Sequence, residues 1–220
     1  MSKKIFTLLG LPASGKGTQA ETLAGLYHLD NIGIGDLIRT AIENGPEDDP
    51  LVTEMKKNYD SGIPQPDHIV FPLLEEKLKN CKNGVVFDNF PFSHDQARFL
   101  QGYASKHSWD QPVIIYLNVD PETAIKRMMS RRICDNCGAV FIASQAQVCD
   151  QCGGKLIARA DDNEETIRTR IDYYYPRIQE MVKLFSPTGR VLVIDGEPSI
   201  KQVAIAIEKQ ISELTKKLAA

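Results

Sequence analysis

The chain has 220 residues, 26 Lys and Arg against 29 Asp and Glu, a formal charge of -3 and a pI near 5.8. That balance argues against a protein that holds nucleic acid through non-specific phosphate contacts, which calls for a strongly basic surface. At 42% apolar and 25% charged the composition suits a globular domain with a sizeable core, and no apolar run nears the roughly 20 residues that span a bilayer.

From Met1 to Gly10 the chain is basic, then apolar, and soon meets glycine and proline with no small-residue cleavage site behind them. This predicts no secretory signal and a cytoplasmic protein. The first β-rich run, 5–9, leads straight into Gly10, Leu11, Pro12, Ala13, Ser14, Gly15, Lys16, Gly17 and Thr18, with the spacing G-x-x-x-x-G-K. Glycines there let the backbone curl its N–H groups around a phosphate, the following helix adds the positive end of its dipole, and Lys16 adds a point charge. One departure is visible: the hydroxyl expected next to the lysine, normally a magnesium ligand, is replaced by Gly17, with Thr18 one residue later. Magnesium would then be held mostly by phosphate oxygens and water, with Asp36 and Asp88 as outer-shell partners.

A helical pattern over 17–28 precedes a weaker β-rich run at 31–34, and a second helical pattern covers 69–80. Cys81, between Asn80 and Lys82, is expected to be a bystander thiol. Further β-rich runs at 84–88, 113–119 and 190–195 alternate with helical patterns at 121–131, 163–185 and 199–218. In the last, Ile200, Val203, Ala204, Ile207, Ile211, Leu214 and Leu218 share one face. Asp162 followed by Glu165 resembles a capping box, and Pro176 is expected to kink the helix it interrupts. Trp109 and Tyr173 to Tyr175 are expected to pack. The histidines 28, 68, 94 and 107 show no metal spacing. Five β-rich runs separated by helices predict an α/β three-layer sandwich of the P-loop NTPase type, a five-stranded parallel sheet with helices on both faces.

Between 132 and 161 the βα rhythm stops. Cys134 and Cys137 form one C-x-x-C-G knuckle, and Cys149 and Cys152 form a second. Two such knuckles at this spacing point to Zn2+, held by four thiolates with no open position and so structural, in a small metal-bound lid. Two disulfides are the alternative, disfavoured in a reducing cytosol. The only charges between Cys134 and Cys152 are Asp135 and Asp150, the wrong sign for a zinc finger on a phosphate backbone.

The run G-x-x-x-x-G-K-G-T-Q-A resembles the opening of adenylate kinases and their nucleoside monophosphate kinase relatives. Gly35-Asp36-Leu-Ile-Arg39 is similar to the family's G-D-x-x-R, and Asp88-Asn89-Phe90-Pro91 to its D-G-F-P-R-T. Arg127, Arg131 and Arg132 resemble its arginines before the lid, and the segment from Arg159 through Arg168 and Arg170 resembles the one leaving it. The resemblance implies ATP and Mg2+ at the P-loop, AMP under an arm, and reversible phosphoryl transfer giving two ADP after lid closure. It implies a core (1–32, 67–131 and 161–220), a monophosphate-binding arm (33–66) and a zinc lid (132–160), in a monomer without nucleic-acid or membrane partners. By the same resemblance, Lys16, Arg127, Arg131, Arg159 and Arg170 serve catalysis. Gly10, Ala13, Ser14, Gly15, Lys16, Gly17, Thr18 and Arg127 meet ATP, with Arg127 on the adenine. Ile34, Arg39, Gln65, Asn89, Phe92, Gln96, Arg159 and Arg170 line the AMP side. Phosphoryl transfer asks mainly for positioned cations, which suits arginine's fork; Arg132 and Arg168 stay open between that role and a solvated surface. Three departures fall on the AMP side: Phe92 stands where the family has an arginine on the AMP phosphate, Ile34 stands where it has a threonine, and residues 62–67 replace a more apolar turn. Another monophosphate acceptor, or a catalytically weak nucleotide-binding relative, therefore stand as alternatives.

Overall fold

A computed structural model of the chain describes residues 2–60, 64–142, 146–158 and 163–219. Three strands carry its centre. Strand β1 (Lys4–Gly10) is buried at every position after Lys4. Strands β3 (Gly84–Asp88) and β4 (Val113–Asn118) are buried along all but their last residue. Strands apolar on both faces belong inside a parallel sheet covered on both sides. With β2 (Asp30–Gly33) and β8 (Val191–Asp195) they form a five-stranded parallel sheet in the order β2-β3-β1-β4-β8. Phe6 pairs in register with Val86 on one side and Val113 on the other. Alternation of burial along β8 suits its place at the edge.

Successive residues of β1 point to opposite faces, and the helices divide accordingly. Phe6 and Leu8 pack with Ala20 and Leu23 of α1 (Lys16–Tyr27) and with Ile207 and Ile211 of α8 (Ile200–Ala219). Ile5 packs with Val70, Leu74 and Leu78 of α4 (Asp67–Asn80) and with Leu100 and Tyr103 of α5 (His94–Lys106). Leu9 packs with Met128 of α6 (Pro121–Met129) and with Ile171 and Ile178 of α7 (Glu164–Phe185). Each full burial of such a side chain stabilises by about 1.5–3 kcal/mol. The three-layer α/β sandwich predicted from the sequence is therefore present.

Two segments leave this core. After β2 the chain forms α2 (Ile34–Asn44) and α3 (Pro50–Asp60), joined by a small apolar contact of Ile38, Val52, Met55 and Ile69. After α6 it forms β5 (Arg132–Cys134), β6 (Val140–Phe141) and β7 (Leu156–Ile157), antiparallel in the order β6-β5-β7.

Several local expectations are corrected. Ile34 is the first residue of α2, not the end of a strand, because the run Ile34, Ile38, Ala41, Ile42 has helical spacing and packs on α3 and α4. Asn163 caps α7, its side chain accepting from the Thr166 N–H; Asp162 lies outside the described residues. The helix expected over 163–185 is α7, with Pro176 inside it. Trp109 is buried, but Tyr173 and Tyr175 are exposed, and Tyr174 is the member of that trio packed against the core. Cys81 is buried, and burial together with Asp30 pushes its thiol up to about 12, which fits an inert side chain. No described helix is long and apolar enough to cross a membrane.

Candidate active site

Parallel strands deliver the loops at their C-terminal ends to one edge of the sheet, where ligands of open α/β sheets bind. The loop after β1 shows why glycine is required. A Cβ at Gly10 would lie 2.6 Å from Ser14 Oγ and 2.8 Å from the Leu117 carbonyl oxygen. Ala13 and Gly15 both take left-handed backbone conformations, with φ 59° and 94°. The turn is closed by the Ser14 N–H donating to Leu11 O at 3.1 Å. Gly15 gives α1 no side-chain cap, and its first turn holds no acid. The N–H groups at this helix start are thus available to an anion.

Lys16 reaches back to donate from Nζ to Leu11 O at 2.9 Å. Burial pushes its ammonium below the ordinary lysine value; Asp88 opposes that fall, and the cations Arg170 and Arg131 add to it. Asp88, at the end of β3, is pushed up by burial, with Lys16 opposing and Asp36 adding. Crowded, desolvated cations of this kind favour entry of a multivalent anion, which restores their charge. The polar atoms Ser14 Oγ, Asp88 Oδ1 and Asn89 Oδ1 are buried here without a hydrogen-bond partner, as expected of a cradle whose partner is a ligand.

Three arginines come from elements far apart in sequence. Arg131, after α6, is buried; Arg170, on α7, is half-buried. Arg127 donates from Nη1 to Gly196 O and from Nη2 to Glu197 O, both at 3.0 Å, and lies 3.5 Å from Ala13 O. Its edge is fixed by the loop after β8; that carbonyl pair has no signature in the sequence. Arg132 donates to Arg131 O at 2.9 Å. Arg168 pairs with Glu164 at 3.0 Å and Glu122 at 3.3 Å, tying α7 to α6 on the surface. Gly17 and Thr18 begin α1, with Thr18 exposed. Arg159 lies outside the described residues, as do Gly62 and Ile63 of the altered turn.

On the opposite flank, Arg39 is paired with Asp36 one helical turn away, both exposed. Asp36 is therefore engaged by a cation of its own helix. Gln65 is used inside the arm: its Nε2 donates to Met55 O at 2.8 Å and its Oε1 accepts from Asn58 at 3.3 Å. Phe92 follows the Asp88-Asn89-Phe90-Pro91 turn and packs on Tyr174 of α7, ring centroids 5.5 Å apart. Gln96 accepts from the Phe92 N–H at 2.8 Å and donates to Asp67 Oδ1 at 2.8 Å. Asp67 had no role in the sequence reading; its signal, Pro66-Asp67 opening a helix, looks like helix punctuation alone.

Among the described residues, Cys134, Cys137, Cys149 and Cys152 bring their sulfurs within 4.8 Å of one another. Sulfurs ~2.3 Å from one tetrahedral centre lie about 3.8 Å apart; the pairs Cys134–Cys152 and Cys137–Cys149 stand at 3.4 and 3.7 Å. All four are free thiols, which removes the disulfide alternative. Gly138 and Gly153, with φ 73° and 75°, close the two knuckles as their position after each second cysteine predicts. The Gly154 N–H helps draw the Cys152 thiol down to about 6. The cluster can hold a metal, and its donor set suits zinc.

A family model described as adenylate kinase matches residues 8–190. A protein named adenylate kinase from Alkaliphilus oremlandii is 37% identical over 203 residues, 89% of this chain and 93% of that protein. Proteins of the same name from Geobacillus sp. (strain WCH70) and Caldicellulosiruptor bescii are each 34% identical, covering 94% and 93% of this chain and 98% and 97% of their own.

Proposed function

The chain belongs to the adenylate kinase family, a family of phosphotransferases, and on that premise we propose that it transfers the γ-phosphoryl group of ATP reversibly to AMP. The observation that carries this is the meeting of Lys16, Asp88, Arg131 and Arg170 beside the phosphate loop. The site residues divide between two nucleotides. Gly10, Ala13, Ser14, Gly15, Lys16, Gly17 and Thr18 cradle the ATP phosphates, and Arg127 offers its guanidinium face to the ATP base. Arg39, Asn89, Gln96, Arg159 and Arg170 hold the acceptor nucleotide, with Ile34, Gln65 and Phe92 shaping its side. The corresponding units are the core (1–32, 67–131, 161–220), the arm (33–66) and the lid (132–160).

An oxygen of the AMP phosphate attacks the γ-phosphorus in line, and the bond from that phosphorus to the β–γ bridging oxygen breaks. The electron pair leaves on the β-phosphate, so that two ADP result. Little covalent work falls to the protein, and Lys16, Arg131 and Arg170 supply charge around the transferred group. Magnesium, brought with ATP, neutralises phosphate charge; the buried, unpartnered Asp88 Oδ1 fits a water of its outer shell, and Asp36 fits only after leaving Arg39. A structural Zn2+ held by Cys134, Cys137, Cys149 and Cys152 would brace the lid.

Steady-state ADP formation from ATP with AMP, CMP, UMP and GMP tests this directly. AMP is expected to give the highest kcat/KM. A higher value with another acceptor, or ATP binding without transfer to any of them, would overturn the proposal.

A further inference from the structure

The amide of Gln96 is held at both ends by groups that can act in one sense only. Its oxygen accepts from the Phe92 backbone N–H and its nitrogen donates to Asp67 Oδ1, each at 2.8 Å. A backbone N–H is a donor, and an ionised carboxylate is an acceptor. Rotating the amide by 180° would set its oxygen against the carboxylate and its NH2 against the N–H. The neighbours therefore permit one orientation, whichever way the two atoms of an amide are assigned. The backbone of Gln96 is fixed as well, its N–H donating to the Ser93 hydroxyl that caps α5. Counting valences, the amide keeps one lone pair on oxygen and one hydrogen on nitrogen for a ligand.

We propose that Asp67 is a positioning residue for acceptor choice: by locking the polarity of Gln96 it makes the site prefer a base with an amino donor beside a ring-nitrogen acceptor. This rests on the reading of this flank as the acceptor-nucleotide pocket. Adenine offers N6–H to the amide oxygen and N1 to the amide N–H. A 6-oxopurine offers an acceptor oxygen and an N1–H, the reverse order, and meets the locked amide donor to donor and acceptor to acceptor. Cytosine carries the same order as adenine, so the lock sorts amino bases from oxo bases and leaves ring size to the pocket walls. Sites that hydrogen-bond a substrate group discriminate strongly because a mismatch leaves their own polar groups unpaired.

Inosine monophosphate is the probe, since it differs from AMP at the purine 6-position and the N1 proton alone. Wild type, Asp67→Ala and Asp67→Asn are compared as full chains for kcat/KM with AMP and with IMP, alongside KM for ATP and thermal melting. In Asp67→Ala the Phe92 N–H alone still holds the amide's polarity, and with the carboxylate gone the AMP:IMP ratio is expected to fall about tenfold with KM for ATP unchanged. Asp67→Asn, whose amide can accept or donate, should fall between wild type and the variant lacking the acceptor. Asp67→Leu, of similar volume and without an acceptor, replaces Asp67→Ala if the latter does not fold. An unchanged ratio in the variant lacking the acceptor overturns the proposal. If wild type itself fails to prefer AMP over CMP, UMP and GMP, the AMP assignment fails instead, so the two failures are distinct.

Discussion

Phe92 is the residue at which this chain departs most from the family's charge pattern. Its ring lies on Tyr174 and joins the cluster formed by Leu9, Ile171 and Ile178. An apolar contact to α7 thus stands where the resemblance implies a cation on the acceptor phosphate. A charge-assisted hydrogen bond contributes about 1.5–3 kcal/mol, roughly tenfold to a hundredfold in binding or rate. Phe92→Arg is therefore expected to raise kcat/KM for AMP by about tenfold or more. The same change gives up an aromatic pair worth about 1 kcal/mol, which in a chain of this size lowers the melting temperature by about 2–4 °C. Steady-state kinetics and melting curves check the two halves separately. An unchanged kcat/KM would mean that Arg39 or Arg170 already supplies the grip. Much of the P-loop was legible from the sequence, because Gly10, Gly15 and Lys16 are fixed by backbone approach and charge that depend on local spacing. The links from Asp67 to Gln96 and from Arg127 to Gly196 were not, because each joins side chain and partner across 29 and 69 residues. Nothing local marks such pairs.

At the scale of the element, the lid has little apolar material of its own. Among its described residues the buried ones are Cys134, Cys149 and Leu156, with Ala139 and Phe141 partly buried against them. Three strands of two or three residues are too short to hold a sheet by pairing alone. Metal held by the four cysteines would then be the main cohesive term, with coordination and local folding one equilibrium. One zinc per chain is expected by metal analysis, and Cys149→Ser, which removes a buried ligand, should abolish it. Hydrogen exchange should then lose protection across 132–142 and 146–158 while β1, β3 and β4 keep theirs, since local units open independently of the core. Protection kept throughout the lid after zinc removal would show that its packing suffices. The cysteine knuckles were readable because ligand chemistry imposes spacing. The arm helices α2 and α3 and the core helix α5 were not read, although Ala97, Leu100 and Ala104 of α5 have helical spacing. The Gly35-Asp36 motif overlaps the period of Ile34, Ile38 and Ile42 and breaks its apolar pattern with a glycine and an acid in the first turn. The short β2 shares its last residue with the helix boundary, which is the least certain feature of any periodic reading.

For the whole molecule, the decisive arrangement is that a chain of net charge -3 sets Lys16, Arg131 and Arg170 near one another beside the phosphate loop. Lys16 comes from the β1–α1 turn, Arg131 from the end of α6 and Arg170 from α7. Pairing of β1 with β4 brings the first two together, and packing of Ile171 and Ile178 of α7 with Leu9 of β1 brings the third. In the ligand-free protein burial lowers Lys16 first, Asp88 opposes that fall, and Arg170 and Arg131 add to it. An anion that enters restores the charge of Lys16 and, on the proposed division of the site, would join core, arm and lid. A two-substrate mimic, ATP and AMP linked through their phosphates, should then stabilise the fold more than either nucleotide alone. At a hundredfold excess over its dissociation constant a ligand adds about 2.7 kcal/mol, or roughly 5–10 °C in melting temperature for a chain of this length. Arg170→Ala removes one cation of the shared cluster without touching the phosphate loop. Its expected signature is a mimic-induced shift reduced to about that of ATP, with the shift given by ATP itself largely kept. A full mimic shift in Arg170→Ala would place Arg170 outside the shared pocket and dissolve the link between the two nucleotide sites.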